Sequence, residues 1–131
     1  MEIALRQALV QWLADDPALA VLNAIEEENP VRVSPPWLAV AASASIDFSH
    51  KTGTGREVRV ALELHSRGDD IAADGALVSA IDSRIGALPH QQAGFAIASI
   101  AFLRGRAERR ADNLRATLLE YRFRLIETPT E

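Results

Sequence analysis

Hydrophobic periodicity along the 131 residues predicts a single α+β domain spanning 1–131. An antiparallel four-stranded sheet with long hairpins should pack against an N-terminal helix and a central helix. Three observations carry this. The run Val58 to His65 alternates strictly, with Val58, Val60, Leu62 and Leu64 on one face and Arg59, Ala61, Glu63 and His65 on the other. Such a period of two is what a half-buried strand requires. The stretch Lys51-Thr52-Gly53-Thr54-Gly55-Arg56 before it reads as a turn that joins it to an earlier strand. The main patterns follow the order helix, strand, strand, helix, strand, strand, and an antiparallel sheet with helices on one face satisfies that order most simply.

Ile3 to Leu13 reads as the first helix, with Leu5, Leu9 and Trp12 or Leu13 as its apolar stripe. Asp15 or Asp16 can cap a second short helix that begins at Pro17 and covers Ala18 to Ile25. Glu26-Glu27-Glu28 would fray its C-terminal end, because acids there oppose the helix dipole. Pro35-Pro36 marks a strand entrance. Trp37 to Phe48 is the first long strand, rich in alanine and serine, and its small side chains let something pack closely against it. Arg56 to Ser66 is the second. The central helix spans Ile71 to Ile85, capped by Asp69 or Asp70, with Ile71, Val78, Ile81 and Ile85 on its buried side. Gly75 within it would permit close approach to the sheet. Phe95 to Leu103 and Leu114 to Ile126 are the third and fourth strands. Two strands of ten or more residues exceed the usual five or six, and such overhang calls for a curled sheet or another subunit.

Composition narrows the chemistry. The chain has no cysteine, which removes disulfides, thiol catalysis and thiolate metal sites. A net charge of -4 argues against non-specific nucleic-acid affinity as the main role. No apolar run is long enough to span a membrane, and the start Met1-Glu2 lacks the basic lead of a secretion signal. Thr52-Gly53-Thr54-Gly55-Arg56 leads into a strand, whereas a phosphate-binding Walker loop leads into a helix. A hairpin turn is the simpler reading, with Gly53 and Gly55 in conformations that resist a side chain. His50, His65 and His90 fit no metal-ligand spacing. Asp69, Asp70 and Asp74 form the best acidic cluster, and helix capping accounts for them. No catalytic residue, metal ligand or cofactor site is expected.

Charge points to assembly instead. Arg104, Arg106, Arg109 and Arg110 crowd seven residues just past an apolar strand, where a solvated basic hairpin, a protein interface and phosphate contact are all open. Stacking aromatics are missing from the cluster, which weakens the nucleic-acid reading. Lys51 and Arg56 flank the central turn, at the tip of a hairpin long enough to reach a neighbour. These six residues are the candidate assembly contacts.

Several pieces in order then resemble one family. They are Ile3-Ala4-Leu5-Arg6-Gln7-Ala8-Leu9, Ala14-Asp15-Asp16-Pro17-Ala18-Leu19, Pro36-Trp37-Leu38-Ala39-Val40, Lys51 to Glu57 leading into Leu62-Glu63-Leu64-His65-Ser66-Arg67, and Arg115 to Glu127. Together they are similar to the small tail-completion proteins, or tail terminators, of long-tailed bacteriophages and gene transfer agents. The resemblance implies an α+β subunit of a hexameric ring that caps the tail tube and meets the head-side connector, without catalysis or cofactor. Its partners would be further copies of itself, the tail tube protein and the connector, with DNA passing through unbound. It would assemble in the bacterial cytoplasm and end at the head–tail junction of the particle. Another head–tail connector or tail component, and a small-ligand or nucleic-acid-binding protein, are the alternatives.

Overall fold

The four expected strands form and pair antiparallel, and two short strands extend the sheet at its edges. The computed structural model describes residues 1–27 and 33–129. In chain order the elements are α1 (Glu2–Ala14), a 3-10 turn (Pro17–Leu19), β1 (Ile25–Glu27), β2 (Trp37–Asp47), β3 (Gly55–Arg67), α2 (Ile71–Gly86), β4 (Gln91–Gln92), β5 (Phe95–Arg109), a 3-10 turn (Ala111–Asn113) and β6 (Leu114–Glu127). The strand order is β1-β2-β3-β6-β5-β4. The sheet is therefore six-stranded, not four-stranded, and mixed, because β1 runs parallel to β2. It is also curled. Register shifts at Val40/Ala42 in β2 and at Ile97/Ser99 and Phe102/Arg104 in β5 add the local bending a curled sheet needs.

The expected helix over Ala18 to Ile25 does not form. Only Pro17–Leu19 turns, with the Ala18 N–H donating to Asp16 Oδ1 at 3.0 Å. A stretch so short gains little from helix formation without a face to bury. Here it gains more as a sheet edge: the Asn23 N–H donates to Pro36 O at 2.8 Å and the Leu38 N–H to Ala24 O at 2.9 Å. Glu26 and Glu27 consequently lie on strand β1 and not at a helix end. Glu28 falls outside the described residues.

One face of the sheet is apolar and carries the core. Val58, Val60, Leu62 and Leu64 of β3 stand beside Leu119, Tyr121, Phe123 and Leu125 of β6, and all are buried. Leu5, Leu9 and Leu13, four residues apart on α1, cover part of that face without exposure. Leu77, Ile81 and Ile85 of α2 cover the rest. The expected stripe of α2 is thus shifted: Ile71 is 63% exposed and Val78 only half-buried, whereas Leu77 and Asp74 point inward. Gly75 faces open space and permits no close packing.

Polar contacts lock the helices in place. The Trp12 indole N–H donates to Arg84 O at 2.6 Å, and Arg84 Nε donates back to Trp12 O at 2.8 Å. The Arg84 guanidinium sits 3.5 Å from the Trp12 ring centroid. Tyr121 O–H reaches from β6 to Asp82 Oδ1 at 2.6 Å, and burial together with that carboxylate pushes the phenol well above its usual pKa. Asp112 and Asn113 both take left-handed conformations, with φ of 60° and 58°. Such residues supply the twist of a tight hairpin, here between β5 and β6.

Neither glycine of the central turn is left-handed; the expected resistance to a side chain holds for Gly55 and not for Gly53. Their demands differ for steric reasons. A Cβ on Gly55 would lie 2.6 Å from Phe48 O and 2.8 Å from Leu125 O, both backbone atoms. A Cβ on Gly53 would meet only the Ile126 side chain at 3.7 Å, an ordinary contact. Gly55→Ala should therefore cost roughly 1–3 kcal/mol, the range for overpacking, while Gly53→Ala stays within about 0.5 kcal/mol. Urea unfolding of the two variants checks this, and equal losses would refute it.

Candidate assembly surfaces

Lys51 sits at the exposed tip of the β2–β3 loop, held by reciprocal hydrogen bonds between His50 and Gly53 at 2.8 and 3.2 Å. Arg56, by contrast, is engaged within the fold. Its Nε lies 3.3 Å from Glu2 Oε1 and its Nη1 3.3 Å from Asp47 Oδ1, so it ties the start of α1 to the hairpin. A backbone N–H hydrogen bond holds the Glu2 carboxyl below the usual carboxylate range against the opposing effect of burial. The terminal amine, Ser45 and Arg56 add to the lowering.

The arginine cluster lies on a strand. β5 does not stop near Leu103 but continues to Arg109, because its partner β6 continues opposite it to Arg115. Arg104 and Arg106 project with side chains 73% and 72% exposed. Arg104 reaches Glu120 at 3.3 Å, and Arg106 reaches Glu108 only at 3.9 Å. Arg109 donates to Asn113 Oδ1 at 2.9 Å. Arg110 bridges Glu63 at 3.0 Å and Glu108 at 2.9 Å, locking the hairpin to the sheet. Arg104 and Arg106 thus keep mostly exposed side chains, while Arg109 and Arg110 hold the hairpin end through Asn113, Glu63 and Glu108.

The sheet face away from the helices is lined with charges. Register places Glu57 opposite Arg124, Arg59 opposite Arg122 and Ala61 opposite Glu120. Glu57 is 9% exposed and accepts from Arg124 Nε at 3.1 Å, with Arg122 Nε at 4.0 Å. At the far end of this face, His65 stacks on Trp37, with ring centroids 4.0 Å apart and planes 8° from parallel. Its Nε2 lies 3.0 Å from Glu63 Oε1 but outside hydrogen-bond geometry.

The acidic cluster has structural work. Asp70 caps α2, its Oδ1 accepting from the Ala73 N–H at 3.0 Å. Asp74 is buried and accepts from Ser66 Oγ at 2.9 Å, and Asp69 is exposed. Among the described residues no group of three or more His, Asp or Glu side chains could hold a metal ion. Among the described residues, no helix is long and apolar enough to cross a membrane.

Two sheet edges complete the surface. Among the described residues, β1 pairs with β2 from Leu38 to Val40, and β4 pairs with β5 at Phe95 and Ala96. Among the described residues, the outer edges of β2 from Ser43 to Asp47 and of β5 from Ala98 to Arg109 have no strand partner. All of Ala41 to Asp47 is exposed, on both faces of the sheet. The small residues of β2 are legible in the sequence, but which strands pair beside them is not.

A family description, tail completion protein gp17, matches residues 7–126. Among solved structures, a chain from the virion of a native gene transfer agent particle aligns over 97% of both chains, with 24% identity and a TM-score of 0.80. A second solved chain aligns over 99% of this chain and 94% of its own, with 11% identity and a TM-score of 0.54. At these identities the two likenesses speak for the fold. No curated protein matches.

The His65 environment generates a pH prediction. Burial lowers the pKa of His65 below its ordinary value of 6.5; Arg110 adds to the lowering and Glu63 opposes it. The unfolded chain then binds the proton more tightly than the folded one, so stability is full above about pH 6.5 and falls as pH drops through that value. His65→Phe, which keeps a ring on Trp37, should flatten this part of a thermal-unfolding pH series between about pH 7 and 5. An identical slope in both proteins would contradict the assignment.

Proposed function

The chain belongs to the tail completion protein gp17 family, and from that premise we propose that it works as a closed ring at the head–tail junction of a phage or gene transfer agent particle. The family is a structural one, and the chain is a structural tail-completion protein. The observation that carries the finer reading is the family match over nearly the full length, residues 7–126, on a subunit whose described residues leave stretches of two sheet edges without a strand partner. In this reading six copies assemble in the cytoplasm, cap the finished tail tube and present the other side to the head-side connector. DNA passes through without specific binding.

Physical features support an assembly role. Long strands carry exposed backbone past the helix-covered core, and the Arg104–Arg109 stretch projects charge along one edge. The six candidate contacts divide by location. Lys51 lies at the loop end of the β2–β3 hairpin, with Arg56 anchoring that loop from within. Arg104, Arg106 and Arg109 line β5, with Arg110 bracing its hairpin. Overall acidity favours protein carboxylates over DNA as their partners.

Size-exclusion chromatography with light scattering, with and without purified tail tube protein, tests the ring. A particle of several subunits is expected under at least one condition, and a monomer under both would sink the proposal. Cryo-electron microscopy of particles should then place this chain between the last tube ring and the connector. Density along the tube would point to a different tail component.

The loop has its own test. Lys51→Ala should leave thermal unfolding unchanged and reduce attachment to tube or connector by about tenfold or more, since an exposed ion pair contributes about 0.2–1 kcal/mol and a six-fold ring repeats it. Arg56→Ala should lower the subunit's own stability, because it loses Glu2 and Asp47 together. Unaltered attachment of the Lys51→Ala ring would remove that residue from the contact.

A further inference from the structure

We propose that the ring closes by sheet extension: the β5 edge of one copy pairs antiparallel with the β2 edge of the next, around Ser43–Asp47. This rests on the ring reading above and assigns its self-interface.

Strand direction comes first. β2 is antiparallel to β3, β3 to β6, and β6 to β5. β2 and β5 therefore run in opposite directions at opposite edges of one sheet. Rotation about a ring axis roughly along the strands preserves each direction. It brings β5 of one copy beside β2 of its neighbour as an antiparallel pair, with no turn or flip required.

Backbone geometry comes second. The Leu38 N–H points outward to Ala24 O, and the Phe48 N–H points inward to Gly55 O. Alternation along the strand, corrected for the bulge at Val40/Ala42, then directs the backbone groups of Ser43, Ser45 and Asp47 outward. They form a row of donors and acceptors without a strand partner among the described residues. Ser43, Ala44 and Ser45 are small, so a second backbone can approach closely there, with Arg6 Nη1 donating to Ser43 Oγ at 2.8 Å from the helix face and Ile46 exposed on the other. An exposed edge of this kind is a template for another strand.

Charge decides which strand. Cross-strand partners define one continuous row over the open face: Glu26 on β1, Ala39 on β2, Glu63 on β3, Leu118 on β6 and Arg106 on β5. An acid stands at one end of the row and a base at the other. Pairing β5 with β5 in a two-fold dimer would bring Arg104, Arg106 and Arg109 against their own copies. Pairing β2 with β2 would bring the two β1 strands with their Glu26 residues together; Glu27 and Asp47 are already paired, with Arg6 at 3.0 Å and Arg56 at 3.3 Å. Like charges opposite one another destabilise, so head-to-tail contact is favoured over both. Arginine on an edge by itself would read as protection against aggregation. The acid at the other end of its own row makes it one half of a complementary pair.

The cysteine-free chain allows a direct test. Ala44 and Ala101 lie at the same level, through Arg59 and Arg122. Chains carrying Ala44→Cys together with Ser99→Cys, Ala101→Cys or Arg104→Cys sample three registers. Within one copy these positions are three strand spacings apart, about 14 Å, well beyond disulfide reach. Any bridge must therefore join two copies. Oxidation of assembled protein should give a covalent ladder for at least one register, ending at the ring mass measured by light scattering.

Ser45→Pro provides a register-independent arm. It removes an outward N–H and leaves the β2–β3 ladder intact, as proline on an edge strand can. The variant should keep the parent's melting temperature within a few degrees and lose at least tenfold in ring formation. Rings from folded Ser45→Pro at parental yield would overturn the edge pairing while leaving the ring standing, as would rings that cross-link in no register. Absence of rings from the parent chain, even with tube protein present, would instead remove the ring reading beneath it.

Discussion

The ladder between β3 and β6, unbroken from Gly55↔Ile126 to Arg67↔Leu114, presents one apolar face, and both helices lie on that face alone. This one-sided burial is the constraint on which the rest depends. Leu5, Leu9 and Leu13 from one helix and Leu77, Ile81 and Ile85 from the other meet the same four-residue stripes of β3 and β6. Each such side chain contributes about 1.5–3 kcal/mol on burial. With this face covered, the helices have no further apolar stripe to give, and the opposite face must manage water by itself.

It does so with paired charges. Along that face Glu57, Glu63 and Glu120 each sit within ion-pair distance of at least one arginine. Glu57 is the most buried of them and has two arginines near it. Isolated, such a carboxylate would be costly to hold out of water; paired and hydrogen-bonded, it is tolerated. These pairs also explain why the arginines divide in role. Arg104, Arg110 and Arg124 pair with acids of their own sheet and Arg122 lies 4.0 Å from Glu57, while Arg106 reaches Glu108 only at 3.9 Å and stays largely exposed.

The same constraint produces the edges. Helices on one face cannot cover the sides of a sheet, and among the described residues the short strands β1 and β4 shield only parts of them. A curled sheet with stepped, unpaired sides and opposite charge at its two ends is poorly suited to solitary life and well suited to repetition around an axis. A tail-completion role needs surfaces, not a catalytic centre, and this subunit's polar groups are arranged to that end. Capping, bracing and pairing account for Asp70, Asp74 and Tyr121, the residues that a search for chemistry would single out first.

Local periodicity was enough to determine the four long strands, the two main helices and the inward set Val58, Val60, Leu62 and Leu64, because alternation and helical spacing are properties of neighbouring residues. A cap for α2 at Asp69 or Asp70 was legible for the same reason, and the structure selects Asp70. Pairing partners are not local, and everything that depends on them was decided by the tertiary structure. The residues after Leu19 became an edge strand because β2 lay nearby with free backbone groups. Gly55 is required by the carbonyls of Phe48 and Leu125, the second of them seventy positions away in sequence. Arg104 and Arg106 were visible as charge, but their place on a strand follows from how far β6 continues opposite them. The row from Glu26 to Arg106 crosses five strands, and no window of sequence contains it.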